Sequence, residues 1–247
     1  KLGSRGLFVI IILIATVFVL TFCLGSKLKV SLRRKILIAV GACICGNTAI
    51  VTVAPIIDAE EEEVAMAVGI VTLFGVLAVF IYPIIGLALQ MSDGLFGAWA
   101  GTAINDTSQV VAAGFMYSEA AGKISTTIKL TRNIMIVPVV MLIAYFYCCD
   151  KNNTQNAKLD LKKVFPTFIL GFIFFVCLNS VGLLTPEISG FLTKLSKLLI
   201  LLALSGIGLG VDFSKLKKIG AKPFILGFSV EASMAVFAYL LNTLVFG

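Results

Sequence analysis

Asn105, Asp106, Thr107, Ser108 and Gln109 form a run of five polar residues inside the otherwise apolar stretch 97–117, GAWAGTAINDTSQVVAAGFMY. Apolar arms at 97–104 and 110–117 flank the run. A helical arm of that length rises about 12 Å, roughly half the ~30 Å hydrocarbon thickness of a bilayer. If the stretch crosses a membrane, the cluster lies near the midplane. There a carboxylate and two amides are costly unless they face the protein interior or a water-filled pathway. This is the chemistry of a site that carries a solute or an ion.

Two cations follow at helical spacing. Lys129 and Arg132 are three residues apart and share a helix face. Together they suit an anion site or salt bridges to Asp106, with snorkelling to the nearer surface as the plainer alternative. Arg grips an oxyanion bidentately, whereas Lys acts as a point charge. Asp106 reads as a coupling-ion ligand or the partner of one of these cations, or else as a carboxylate in a surface loop between two membrane-dipping arms. Glu231 stands alone in the last apolar run, a candidate proton carrier or a silent protonated acid.

A second stretch echoes the first. Residues 41–50 read GACICGNTAI and residues 97–104 read GAWAGTAI, with their Thr-Ala-Ile triplets 54 positions apart. Paired glycine-interrupted segments point to a transporter site built from discontinuous helices. Breaking a helix frees backbone groups that are tolerated at membrane depth only where protein, water or a ligand satisfies them, and freed N-terminal ends favour anions. The alternative is small-residue packing. On the transport reading the substrate-binding residues are Gly46, Asn47, Thr48, Gly101, Thr102, Asn105, Asp106 and Gln109, with Lys129 and Arg132 as charge partners.

Composition supplies the membrane. Of 247 residues, 59% are hydrophobic and 13% charged, and mean hydropathy is +1.06; soluble domains average about 25% charged and 45–50% apolar residues. The net charge of +7 is explained by basic membrane-flanking loops, so no nucleic-acid partner is expected. Cys23, Cys43, Cys45 and Cys177 lie in apolar runs, where cysteine is a small hydrophobe. Without histidine, a metal site and the usual near-neutral proton carrier lose their main ligand. No P-loop, dinucleotide-binding glycine pattern or H-E-x-x-H motif occurs. The expectation is a non-enzyme with no cofactor and no metal.

The apolar runs predict an all-α polytopic bundle, one transmembrane domain over 1–247 that reads as a fragment truncated at its N-terminus. Its approximate spans are 6–24, 36–57, 64–90, 97–117, 124–149, 164–185, 191–211 and 223–246. Pro83 predicts a kink, and Glu60–Glu63 a solvated helix start. Thirteen of the twenty basic residues fall in 27–35, 150–163 and 212–222, which the positive-inside rule places in the cytoplasm. Four and then two spans separate these loops, so 97–117 counts as a crossing, with a re-entrant hairpin there and a miscounted neighbour as the alternative, and the acidic loop 58–63 falls outside.

GACICGNTAI (41–50), DAEEEEVAMA (58–67), FGAWAGTAINDTSQVVAAG (96–114) and KLTR (129–132) together resemble the YeiH family of bacterial and archaeal membrane proteins, labelled as sulfate exporters. The resemblance is strongest over 34–147. The family has Ser-Ile-His where this chain has Ala103-Ile104-Asn105, which removes an imidazole from proton coupling here. The resemblance implies a multi-pass plasma-membrane protein of the inverted-repeat transporter type with crossing, glycine-broken helices, and further spans before residue 1. It also implies a secondary transporter that moves a small anion, such as sulfate or a related sulfur oxyanion, by alternating access. A proton or sodium ion would be the coupling ion, and a homo-oligomer is compatible. The alternatives are a cation-coupled organic-anion symporter or cation/proton exchanger, and a non-transporting membrane scaffold or sensor.

Overall fold

The computed structural model describes residues 3–149, separate positions between 171 and 202, and 220–246. The expected spans 164–185 and 191–211 and the loops 150–163 and 212–222 lie wholly or largely outside the described residues. Those described form helices and turns with no strand: α1 (Gly3–Lys27), α2 (Leu32–Cys43), α3 (Asn47–Val53), α4 (Glu61–Ala88), α5 (Asp93–Ala103), α6 (Thr107–Tyr117), α7 (Glu119–Ile134), α8 (Ile136–Cys149) and α9 (Ala221–Phe246), with a 3-10 turn at Ala54–Ile56 after α3.

Among the described residues, four helical stretches are long and apolar enough to cross a bilayer: Gly6–Lys27, Glu61–Ala88, Glu119–Tyr147 and Ala221–Val245. The third combines α7 and α8, which meet at Met135. Pro138 lacks the N–H that would bond back to Ile134, so the helix tightens there into a Met135 N–H to Arg132 C=O turn of 3.0 Å. Pro83 sits inside α4 without ending it. Local signals start the helices where the chain needs them. Ser31, Ser92 and Ser118 cap α2, α5 and α7 through their hydroxyls, and Glu60 with Glu63 forms a reciprocal capping box at the head of α4.

The pairs α2–α3 and α5–α6 do not cross. Each dips in and returns to the face it came from. At one end of the bundle, Ser31 beside the head of α2 donates to the Glu63 carboxylate of α4 at 3.1 Å, and Arg34 of α2 pairs with Glu63 at 3.3 Å, so the way in and the way out of α2–α3 are neighbours. At the other end the Ser118 hydroxyl donates to Asp93 at 2.7 Å, and the Phe96 and Tyr117 rings stack at 3.9 Å. These contacts bring the head of α5 to the tail of α6. The α2 and α5 arms, 12 and 11 residues long, reach about 16–18 Å, the middle of a bilayer. Their tips meet there from opposite sides: Gly46 of one tip lies against the backbone of Asn105 and Asp106 of the other.

Two expectations are thereby corrected. Residues 97–117 are a re-entrant hairpin rather than a crossing, and so are 36–57, because the polar break in each reverses the chain. The acidic loop 58–63 lies on the same face as the basic loop 27–35, where Arg34 neutralises Glu63. Parity of the basic loops is unaffected, since each hairpin adds no net crossing. The head of α9 packs on this basic face, with Leu226 over Gly25. Unit α1–α2–α3 repeats as α4–α5–α6, inverted in the membrane. Its register pairs Ile44 with Ile104, sixty positions apart. The Thr-Ala-Ile echo is out of that register: Thr48-Ala49-Ile50 follows its break, while Thr102-Ala103-Ile104 precedes its own.

In a cysteine-free background, Ser92→Cys and Glu119→Cys should react with an impermeant thiol reagent from one side of sealed vesicles, and Ser31→Cys and Glu61→Cys from the other. Labelling of Ser92→Cys and Glu119→Cys from opposite sides would restore the crossing.

Candidate functional site

The two tips break for different local reasons. At the first, Gly46 takes φ 67°, ψ −122°, a backbone region essentially confined to glycine. At the second, Ile104 and Asp106 are extended, and the Asp106 side chain accepts from Ser108 N–H at 2.9 Å to cap α6. Each break leaves the last carbonyls of its incoming arm without helical partners. In hydrocarbon such groups must find donors.

Lys129 and Arg132 of α7 supply them. The Lys129 ammonium donates to Ile44 C=O at 2.6 Å and Ile104 C=O at 2.9 Å, joining the two breaks at one atom. Arg132 Nε donates to Cys43 C=O at 2.7 Å, Nη1 to Thr102 C=O at 2.7 Å and Ile104 C=O at 3.1 Å, and Nη2 to Ala42 C=O. Both side chains are buried, at 0% and 1% exposure. Positive charge at a helix C-terminus also meets the negative end of the macrodipole, and here two such ends converge. Cations about 6 Å apart on one helix face repel by about 3 kcal/mol at an effective dielectric of ~20. Six charge-assisted bonds at about 1.5–3 kcal/mol each outweigh that. The α7 backbone comes close enough because Gly101 has no side chain: a Cβ there would lie 2.7 Å from Ser125 C=O.

The cations therefore bond to helix ends and not to Asp106. Among the described residues neither lies within ion-pair distance of a carboxylate. Of the residues singled out from the sequence, Gly46, Asn105, Asp106, Lys129 and Arg132 converge on the crossing, with Gly101 and Thr102 on the last turn of α5. Thr102 donates back to Ala98 C=O and accepts from Asn242 at 2.8 Å. Gln109 lies on Gly75 of α4 and donates to Thr72 C=O at 3.4 Å. Asn47 exchanges hydrogen bonds with the Thr72 hydroxyl at 3.1 and 3.3 Å. Thr48 is exposed on the outer side of α3 and does not join the group. Glu231 of α9 does join it, accepting from the Asn105 amide.

Thr72, Asn133 and Asn242 were not foreseen. Each is a polar residue in a largely apolar helix, a signal available in the sequence, and Asn133 also shares the face of Lys129 at four-residue spacing. Asn133 donates to Thr107 at 3.0 Å. The amide oxygens of Asn105, Gln109, Asn133 and Asn242 are buried without a donor. The crossing thus combines two cations spent on helix ends, two carboxylates and a surplus of acceptors.

Removing the Arg132 side chain strands three carbonyls, Ala42, Cys43 and Thr102, while Ile104 C=O keeps Lys129. Arg132→Ala should lower stability by roughly 3 kcal/mol or more, read as a fall in thermal midpoint in detergent against Thr127→Ala, an exposed neighbour on α7. Arg132→Lys should recover only part, since an ammonium has three donors. Gly46→Ala should cost about 1–3 kcal/mol through its backbone conformation.

A family model described as "Conserved hypothetical protein 698" matches residues 1–227. A UPF0324 membrane protein of Clostridium tetani is 36% identical over 254 residues, which cover 98% of this chain and 74% of the relative. One from Streptococcus pneumoniae is 39% identical over 225 residues, 88% of this chain and 65% of the relative. One from Vibrio vulnificus is 35% identical over 242 residues, 97% and 76%. No solved structure matches. The YeiH family resembled at 41–50, 96–114 and 129–132 is this same family. With a family model spanning most of the chain and relatives matched along nearly all of it, this multi-pass membrane protein belongs to the UPF0324 family of membrane proteins.

Proposed function

We propose that the chain is the core of a secondary transporter that moves a small anion across the plasma membrane by alternating access, with no enzymatic step. The observation that carries this reading is the meeting of two re-entrant tips from opposite faces around buried Asn105 and Gln109. Interrupted backbone at membrane depth is found where it lines a cavity or binds a solute. Neither Lys129 nor Arg132 has a carboxylate within ion-pair distance among the described residues, so an anion at the tips meets two cations that no carboxylate pairs directly. Arg132 spends its N–H donors on the helix ends and, at 4.0 Å, on the Met234 sulfur. Lys129 bonds two carbonyls and keeps a third donor. The anion is therefore held by field, by tip backbone and by the polar groups around Asp106 more than by a guanidinium clamp. The resemblance points to sulfate or a related sulfur oxyanion.

A second reading has its own support. The donor-less amide oxygens of Asn105, Gln109 and Asn133 suit a hard cation, as in a sodium-coupled organic-anion symporter or a cation/proton exchanger with Asp106 as ligand.

Proteoliposomes containing the full-length protein and loaded with labelled sulfate test both. Asp106→Asn and Gln109→Ala should each reduce flux at least tenfold while the protein still extracts as a folded species. Full flux in both variants would remove the site assignment, and absence of flux in the wild type would leave a scaffold or sensor. A strict requirement for a sodium gradient would select the second reading.

A further inference from the structure

Glu231 is a polar contact that α9 sends to the hairpin tip. Its carboxylate accepts from the side-chain amide of Asn105. Asn105 is 1% exposed and its amide oxygen has no donor. Its chain neighbours are Ile104, whose carbonyl holds both α7 cations, and Asp106, which caps α6. Tyr82 of α4 and Lys129 and Arg132 of α7 lie near enough to Glu231 to interact with its charge. The helices α1, α2 and α5, also packed on α9, bring it no charged side chain among the described residues.

The formal charges of the crossing balance. Lys129 and Arg132 contribute two positive charges, and Asp106 and Glu231 two negative ones. Net charge at this depth is costly. A monovalent anion entering a balanced crossing leaves one negative charge in excess, and a proton on Glu231 removes it. The amide of Asn105 can serve both states. Its N–H donates to the carboxylate, and after a half-turn its oxygen, now without a donor, accepts the O–H of the acid.

Resting on the anion-transport reading, we propose that Glu231 and Asn105 form a proton-binding site linked to the hairpin tip, so that one proton is bound with each anion that enters. The step is a simple protonation: a water-borne proton adds to one carboxylate oxygen of Glu231 on loading and leaves it on release, with no other bond changed. By linkage, anion binding strengthens proton binding by the same factor that protonation strengthens anion binding.

The test uses the full-length protein in lipid. Infrared difference spectra between about pH 5 and about pH 9 should show a protonated-carboxyl band that is lost in Glu231→Gln, retained in Asp106→Asn and shifted in Asn105→Leu, where the amide partner is gone. A band unchanged in Glu231→Gln, or no titrating band in the wild type, overturns the proton site. Methanesulfonate, monovalent and without buffering capacity, is the anion probe, with sulfate beside it. Above the midpoint of the band, methanesulfonate affinity should fall about tenfold per pH unit, the slope of one linked proton, and Glu231→Gln should flatten that slope. PH-independent binding in the wild type overturns the coupling. Failure of both anions to bind at any pH counts against the anion reading itself, and the carboxyl band then judges the proton site alone.

Discussion

A peptide carbonyl at the end of a helix in hydrocarbon has no water to turn to, and this protein places two such ends side by side. Lys129 and Arg132 satisfy them together, bonding Ala42, Cys43 and Ile44 of one hairpin and Thr102 and Ile104 of the other. The two cations cost repulsion and desolvation, but either helix end without them would bury orphaned acceptors at about 1–3 kcal/mol apiece. Helix α7 is thus the common post to which both tips are tied. A displacement of one tip pulls on Lys129 and, through it, on the other.

The inverted repeat follows from that tie. An incoming arm of eleven or twelve residues reaches the middle of the bilayer and no further, so each hairpin needs a partner from the opposite face for its tip to be covered. Small residues let the layers close: α5 lies against α7 at Gly101 with no room for a side chain. On the basic face the pairing of Arg34 with Glu63 fastens the mouth of the first hairpin to the head of α4. On the other face Asp93, Ser118 and the stacked Phe96 and Tyr117 do the same for the second. Both mouths are held by contacts at the rim, while the tips are held by charge at the centre.

Between the tips and the flanking helices runs a chain of amides and hydroxyls: Asn47 to Thr72, Gln109 to Thr72, Asn133 to Thr107, Asn242 to Thr102, and Asn105 to Glu231. Each link ties a hairpin to a crossing helix. Several amide oxygens along it remain without donors, which makes the crossing a place where a small solute or ion changes the hydrogen-bond arrangement rather than merely filling space.

Composition and apolar runs determined the class: a helical membrane bundle could be read from 59% hydrophobic residues, and the polar interruption at 105–109 marked where the backbone breaks. The serine and glutamate caps were local too, as was the proximity of Lys129 and Arg132 on one face. What tertiary structure decided was direction and partnership. An arm, a break and an arm have the same length whether the chain continues across or folds back, so 97–117 reads equally as a span or as a hairpin until Ser118 is found beside Asp93. A cation in a sequence likewise advertises an acidic partner, and Asp106 is the obvious one nearby. The competing acceptors were backbone carbonyls, which every residue carries and which no sequence pattern distinguishes. Only the folded chain, by ending two helices at the same point in a medium without water, turned those carbonyls into the partners that Lys129 and Arg132 hold.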